Sequence, residues 1–116
     1  MSAIRTHLIV RAAAFNEIET FRTLLEQKVD PSVCENAALR RAAVNNCVEI
    51  VKLLLADPRV NPADKDNYAI RFACLYGQTE IVKLLLADSR VDPFAKDYWC
   101  MRYAKRKEIK DLLPKI

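Results

Sequence analysis

The strongest constraint on this chain is a phrase that it uses twice. From Glu49 to Arg71 it reads EIVKLLLADPRVNPADKDNYAIR, and from Glu80 to Arg102 it reads EIVKLLLADSRVDPFAKDYWCMR. The two are identical at 15 of 23 positions, with a constant offset of 31 residues and no gap. Such a repeat implies a modular architecture, in which one copy cannot bury its apolar face alone and must stack on its neighbours.

The register extends in both directions. ENAALRRAAVNNCVEIVKLLL, ending at Leu55, aligns at 31 with DNYAIRFACLYGQTEIVKLLL, ending at Leu86. A weaker copy, THLIVRAAAFNEIETFRTLL, aligns at 30 and sets Ala12, Ala13 and Asn16 over Ala42, Ala43 and Asn46. After the last full copy, YWCMRYAKRKEIKDLL keeps the register through Arg102 and Ala104, then loses about three residues before EIKDLL. The expected organisation is an N-terminal capping repeat (1–32), two repeats (33–63 and 64–94) and a truncated C-terminal cap (95–116).

Within each unit, apolar residues fall at helical spacing in two short segments, as in Ala69, Ile70 and Ala73 followed by Ile81, Val82, Leu84 and Leu85. Asn16, Asn46 and Gly77 stand between the segments. These residue types tolerate the left-handed conformation that ends a helix, so one C-cap is expected three times. Pro31, Pro62 and Pro93 follow the second segment, where fixed φ and a missing donor stop the helix and begin an extended connection. Helices of roughly 8–10 residues do not persist alone in water, where ~12–15 is already marginal. Their stability must come from stacking: Ala42, Ala43, Ala73 and Cys74 permit close approach, and the Leu-rich second helix supplies the buried volume.

Composition limits the rest. A chain of 116 residues that is 52% apolar suffices for one packed domain. No apolar run approaches the ~20 residues of a membrane span, and the scattered cations of MSAIRTHLIVRAAAF do not make a secretory signal. A soluble chain of the cytosol or nucleus, without a membrane partner, is expected. Cys34, Cys47, Cys74 and Cys100 lie 13, 27 and 26 residues apart with a single histidine in the chain, which predicts reduced thiols and no metal site. Residues 1–98 hold thirteen basic and thirteen acidic residues; residues 99–116 hold six basic and two acidic, so the net charge of +4 resides in the last unit. A polar outer face of this kind suits a cap.

Helix, turn, Leu-rich helix and connection at ~33-residue spacing is the ankyrin pattern. NYAIRFACLYGQTEIVKLLLAD resembles the ankyrin phrase T-P-L-H-x-A-A-x-x-G-H-x-E-V-V-K-L-L-L, and the resemblance covers nearly the whole chain. With NYAIR and LLLADxRVDP it is most similar to the divergent variety abundant in amoebae and large DNA viruses. Thr-Pro-Leu-His is replaced by Tyr68-Ala69-Ile70-Arg71 and by Ala37-Ala38-Leu39-Arg40, the repeat is about two residues short, and the glycine after the second helix is missing. The resemblance implies an all-α ankyrin-repeat solenoid of helix-turn-helix units with short extended fingers. It also implies a monomeric, cofactor-free module that binds a protein partner as scaffold, inhibitor or host-directed adaptor.

Arg40, Arg71 and Arg102 recur at 31 with an acid five residues before each: Glu35, Asp66 and Asp97. One reading is a row of guanidinium groups for an acidic partner or phosphate. The reading preferred here is structural, since a position repeated in every unit serves something every unit needs. In ankyrin folds the histidine at this place bonds to loop backbone, and arginine could do so while pairing with the acid.

Positions that change between copies are not dictated by stacking. They are Arg41, Phe72 and Tyr103; Val44 and Leu75; Asn45 and Tyr76; Ala63 and Phe94; Asn36, Asn67 and Tyr98; Ala37, Tyr68 and Trp99. Seven of the nine aromatics fall between residues 68 and 103, and aromatics anchor interfaces by burying large area at small entropic loss. The expected partner-binding set is Asn45, Lys65, Asn67, Phe72, Leu75, Tyr76, Phe94, Lys96 and Tyr98, centred on Tyr76 with Phe94 and Tyr98. Trp99 and Tyr103 could instead plug the join with the last unit.

Two other functions are open: a structural subunit that stacks through an exposed end, and nucleic-acid contact through KRKEIK. That basic run lacks interleaved aromatics or a groove-reading motif and reads more simply as a solvated face. Catalysis is not expected, because His7 has no Cys or Ser pattern beside it, no Gly-rich phosphate loop exists, and the acids are spread apart.

Overall fold

The computed structural model describes residues 2–115, which form eight helices and no strand. They are α1 (Ser2–Ala14), α2 (Ile18–Glu26), α3 (Val33–Val44), α4 (Val48–Leu55), α5 (Asp64–Leu75), α6 (Thr79–Leu86), α7 (Ala95–Tyr103) and α8 (Lys107–Leu112). Odd-numbered helices pack side by side in one layer and even-numbered helices in a second. The stack measures 47 × 20 × 18 Å, the elongated shape of units that touch only their neighbours.

Residue size explains the two layers. Ala12, Ala13, Ala42, Ala43, Ala73 and Cys74 are completely buried, so the odd helices approach one another with little side chain between them. Behind them Ile50, Val51 and Leu54 of α4, and Ile81, Val82 and Leu85 of α6, fill the shared core at spacings of one and four residues. The sequence expectation of a close first helix and a voluminous second one describes this core.

The recurring C-cap also takes its expected form. Asn16, Asn46 and Gly77 have φ of 58°, 58° and 72°. In each unit the next amide reaches back to the helix: Glu17 N to Ala12 O at 2.8 Å, Cys47 N to Ala42 O at 2.9 Å, Gln78 N to Ala73 O at 2.9 Å. These are the six-to-one bonds of a Schellman ending, which satisfy carbonyls that the helix leaves bare.

The fingers are built of turns. Asp57 and Asp88 each accept a forked pair of bonds from Arg59 and Arg90, and these guanidinium hydrogen bonds hold both carboxyls below the usual range. Next, Asp30, Asn61 and Asp92 each accept a bond from the amide two residues on, at 2.9, 3.0 and 2.9 Å. Three consecutive residues then adopt left-handed backbone in each of the last three units: Cys34, Glu35 and Asn36; Lys65, Asp66 and Asn67; Lys96, Asp97 and Tyr98, with φ between 55° and 62°. None is glycine, and left-handed backbone costs about 1–2 kcal/mol per L-residue.

The arginine ladder offsets that strain. Arg40 donates to Glu35 O and Cys34 O, both at 3.2 Å, and Arg71 to Asp66 O at 2.9 Å and Lys65 O at 3.2 Å. Arg102 reaches Asp97 O at 3.4 Å. Each guanidinium thus holds carbonyls of the left-handed turn, the structural role preferred from the sequence. Pairing with the acid of the same unit occurs only for Arg102 and Asp97, at 3.4 Å. Glu35 and Asp66 turn instead to Lys65 and Lys96 of the following unit, at 3.2 and 3.8 Å.

Candidate functional site

The odd-helix layer carries a connected ribbon of rings. Tyr68, Phe72 and Tyr76 are spaced by four, so they rise along one face of α5. Tyr68 stacks on Phe72 at 4.2 Å, and Tyr76 follows at 6.4 Å. Trp99 of α7 meets Phe72 at 5.2 Å and Tyr103 at 4.8 Å, extending the ribbon into the last unit. Arginines lie over these rings: Arg40 over Tyr68, Arg71 over Phe72 and Trp99, and Arg102 over Tyr103, each with its guanidinium carbon 5.3 Å from the ring centre.

Beside the ribbon, α3 and α5 enclose a shallow pocket of about 390 Å³ lined by Arg40, Arg41, Val44, Asn45 and Tyr68. Sequence reasoning included Asn45 but missed the pocket as such, because it forms only where Tyr68 packs beside Arg40. Arg41 was noted only as a varied position. The side chain of exposed Arg41 makes no hydrogen bond or ion pair among the described residues, whereas the Arg40 guanidinium beside it is tied to its turn.

The structure distributes the expected partner-binding residues over three environments. Tyr76 is 52% exposed at the end of α5, and half-buried Phe72 and Leu75 precede it. Phe94 and Tyr98 form their own edge-to-face pair at 5.6 Å at the start of α7, away from Tyr76 at the other end of the layer. The single centre of Tyr76, Phe94 and Tyr98 is therefore corrected to two exposed patches, with Phe72, Tyr68 and Trp99 in the ribbon. Lys65 and Lys96 stand at the turns, in the inter-unit ion pairs given above.

Asn67 is also corrected. It is buried, and its Oδ1 accepts a bond from Asp92 N at 2.8 Å, just as Asn36 Oδ1 accepts one from Asn61 N at 2.9 Å. These asparagines clasp the start of the first helix to the finger that closes the same unit, and Asn36 Nδ2 also donates to Asp64 Oδ2 of the next unit at 2.9 Å. Tyr98 occupies the same place in the last unit, so the variation that suggested recognition marks the end of the clasp. Asn45 is exposed, and its Nδ2 donates to Ala14 O at 2.9 Å, linking the second unit to the first.

The basic run is partly engaged within its own unit. Arg106 lies over Gly77 and is 3.8 Å from Glu108, and Lys107 pairs with Asp111 at 3.2 Å. No group of three or more His, Cys, Asp or Glu among the described residues could hold a metal ion. Cys34 is exposed and Cys47, Cys74 and Cys100 are buried. Hydrogen bonding to Cys100 and burial push the Cys74 thiol above its ordinary range. A thiol reagent should therefore titrate one cysteine rapidly in the native protein and four in denaturant. Rapid reaction of two or more under native conditions would contradict this burial.

No helix among the described residues is long and apolar enough to cross a membrane. A family model for ankyrin repeats, in three copies, matches residues 5–97. No curated protein and no solved structure matches the chain.

Proposed function

Because the chain belongs to the ankyrin-repeat family, we propose that it is a non-catalytic module that captures a protein partner on its odd-helix face. Ankyrin repeats are generally protein–protein interaction modules. One observation carries the assignment of the face. Of eight exposed large apolar residues, seven lie on odd helices or their caps: Ile4, Leu8, Phe15, Tyr76, Phe94, Tyr98 and Tyr103. The eighth, Leu112, is on α8. Leu, Ile and Val are concentrated in the even helices, so this asymmetry is opposite to what composition alone would produce. Large rings held on helices lose little entropy on binding and are the usual anchors of an interface. The module would serve as a scaffold, inhibitor or adaptor in the cytosol or nucleus, where its thiols stay reduced.

The test is capture of partners from a cell extract by the immobilised chain, compared with Tyr76→Ala and Tyr103→Ala. Truncating a central interface ring typically loses ~2 kcal/mol, about thirtyfold in affinity. Both variants should lose captured protein while keeping the parent Tm, since these rings are about half exposed. Capture that survives both changes but vanishes in Leu8→Glu would place the partner on α1, away from the rings. Capture abolished only by charge reversal at Lys105 and Lys107, with steep salt dependence, would move recognition to the basic run and nucleic acid.

A further inference from the structure

Charge is segregated between the two layers. Beyond the first turns of α3, α5 and α7, which hold Glu35, Asp64, Asp66 and Asp97, the odd helices (residues 2–14, 37–44, 68–75 and 99–103) contain six arginines (Arg5, Arg11, Arg40, Arg41, Arg71 and Arg102) and no aspartate or glutamate. The even helices carry six acids and five bases, a balanced set. Helix bodies that carry arginines and no carboxylate have a one-signed field of the kind that selects a partner of opposite charge.

The cations and the rings are also graded along the stack. At the position repeated in each first helix stand Arg11, Arg41, Phe72 and Tyr103 in order, so the early units present guanidinium groups and the later ones rings. The pocket lies at the changeover, where Arg40 and Arg41 meet Tyr68. Arg41 is the exposed, unpaired group there, and a guanidinium can bind a carboxylate through two parallel hydrogen bonds.

We propose that the odd-helix face binds an extended acidic peptide segment. A carboxylate side chain occupies the Arg41 pocket, and an adjoining apolar side chain lies toward Tyr76. This names the partner chemistry of the face assigned above and rests on that assignment. The rings favour a peptide over single-stranded nucleic acid because their faces are occupied. Tyr68 and Phe72 stack on each other, Trp99 packs against Phe72, and Arg71 lies 5.3 Å from the ring centres of both Phe72 and Trp99. Bases need open ring faces for stacking.

The test is selection of a displayed random dodecapeptide library on the full chain, on Arg41→Glu and on Tyr76→Ala. The polarisation of a labelled twelve-residue oligothymidylate is measured in parallel. Peptides selected by the parent chain should be enriched in Asp and Glu beside an aliphatic or aromatic residue. A synthetic copy of one of them should bind Arg41→Glu about tenfold or more weakly and lose affinity as salt is raised. Arg41→Glu should keep the parent Tm, since this exposed side chain has no partner in the fold.

Selected peptides without acidic enrichment that still depend on Tyr76 would overturn the acidic class and leave the face standing. Peptides indifferent to both substitutions, or no selected peptide at all, would overturn the site itself. Oligothymidylate binding tighter than any peptide and lost in Arg41→Glu would overturn the proposal in favour of a nucleic-acid surface.

Discussion

A chain shortened to residues 1–98 is expected to aggregate or unfold. The last unit is small, yet it covers the end of the core. Ile109 and Leu113 are buried against the stack, and Cys100 and Ala104 sit on α5 and its end. Lys105 N donates to Cys74 O at 3.0 Å, so a carbonyl near the end of α5 that otherwise receives only the longer 3.3 Å bond from Gly77 N is held from the last unit. Losing Ile109 and Leu113 alone removes roughly 3–6 kcal/mol of apolar burial, at about 1.5–3 kcal/mol per side chain. Whole domains are stable by only about 5–15 kcal/mol. Neighbours share one core, so the loss propagates: the faces of α5 and α6 that met α7 and α8 become solvent-exposed and can associate with other chains. Size-exclusion chromatography and thermal melting of the 1–98 chain would check this. A monomeric species with the parent Tm would show that the last unit does not cap the stack.

Much of this fold was legible because each unit repeats its local signals. Asn16, Asn46 and Gly77 announced a left-handed C-cap, and the alanine pairs announced close packing of the first helices. The left-handed turns were not legible. Cys34, Glu35, Lys65 and Lys96 carry no local preference for φ near 57°, and an Asp or Asn beside them does not announce three such residues in a row. The compensation comes from an arginine several residues later and from an asparagine that bonds a finger amide 25 residues on. Asn36 and Asn67 were misread for a related reason: each accepts a bond from a finger amide 25 residues on, and comparison of copies cannot separate that structural duty from recognition. Tyr76 could be found as an aromatic at a varied position. The pocket between Arg41 and Tyr68 could not, since it exists only once α3 and α5 are side by side. The absence of acids from the first helices beyond their first turns was visible in the sequence, but it acquires meaning only when those helices form one layer.

Arg71→Ala is expected to lower stability by about 2–4 kcal/mol. Among the ladder arginines Arg71 is the most enclosed, 8% exposed, and it makes the shortest turn bond, 2.9 Å to Asp66 O. Two hydrogen bonds from a charged donor contribute about 1.5–3 kcal/mol each before relaxation, and the guanidinium over Phe72 and Trp99 adds ~0.5–2 kcal/mol. Part is recovered because water can reach the carbonyls at the exposed Lys65 and Asp66, which sets the lower figure. The effect should appear as a Tm lower by about 10 °C for a domain of this size. Arg71→Lys should restore only part of it: an ammonium keeps the charge but cannot span two carbonyls with a rigid fork. Arg40→Ala should cost less, because Arg40 is more exposed and both of its bonds are 3.2 Å long. If Arg71→Ala melts with the parent chain, the left-handed turns are stable without the ladder. The repeated arginine would then have to be explained by recognition, as a cation that every unit offers to an acidic partner. If Arg71→Ala melts early and Arg71→Lys between the two, the spacing of 31 has its cause in the turn, since each unit that bends its backbone to the left must carry the side chain that holds it there.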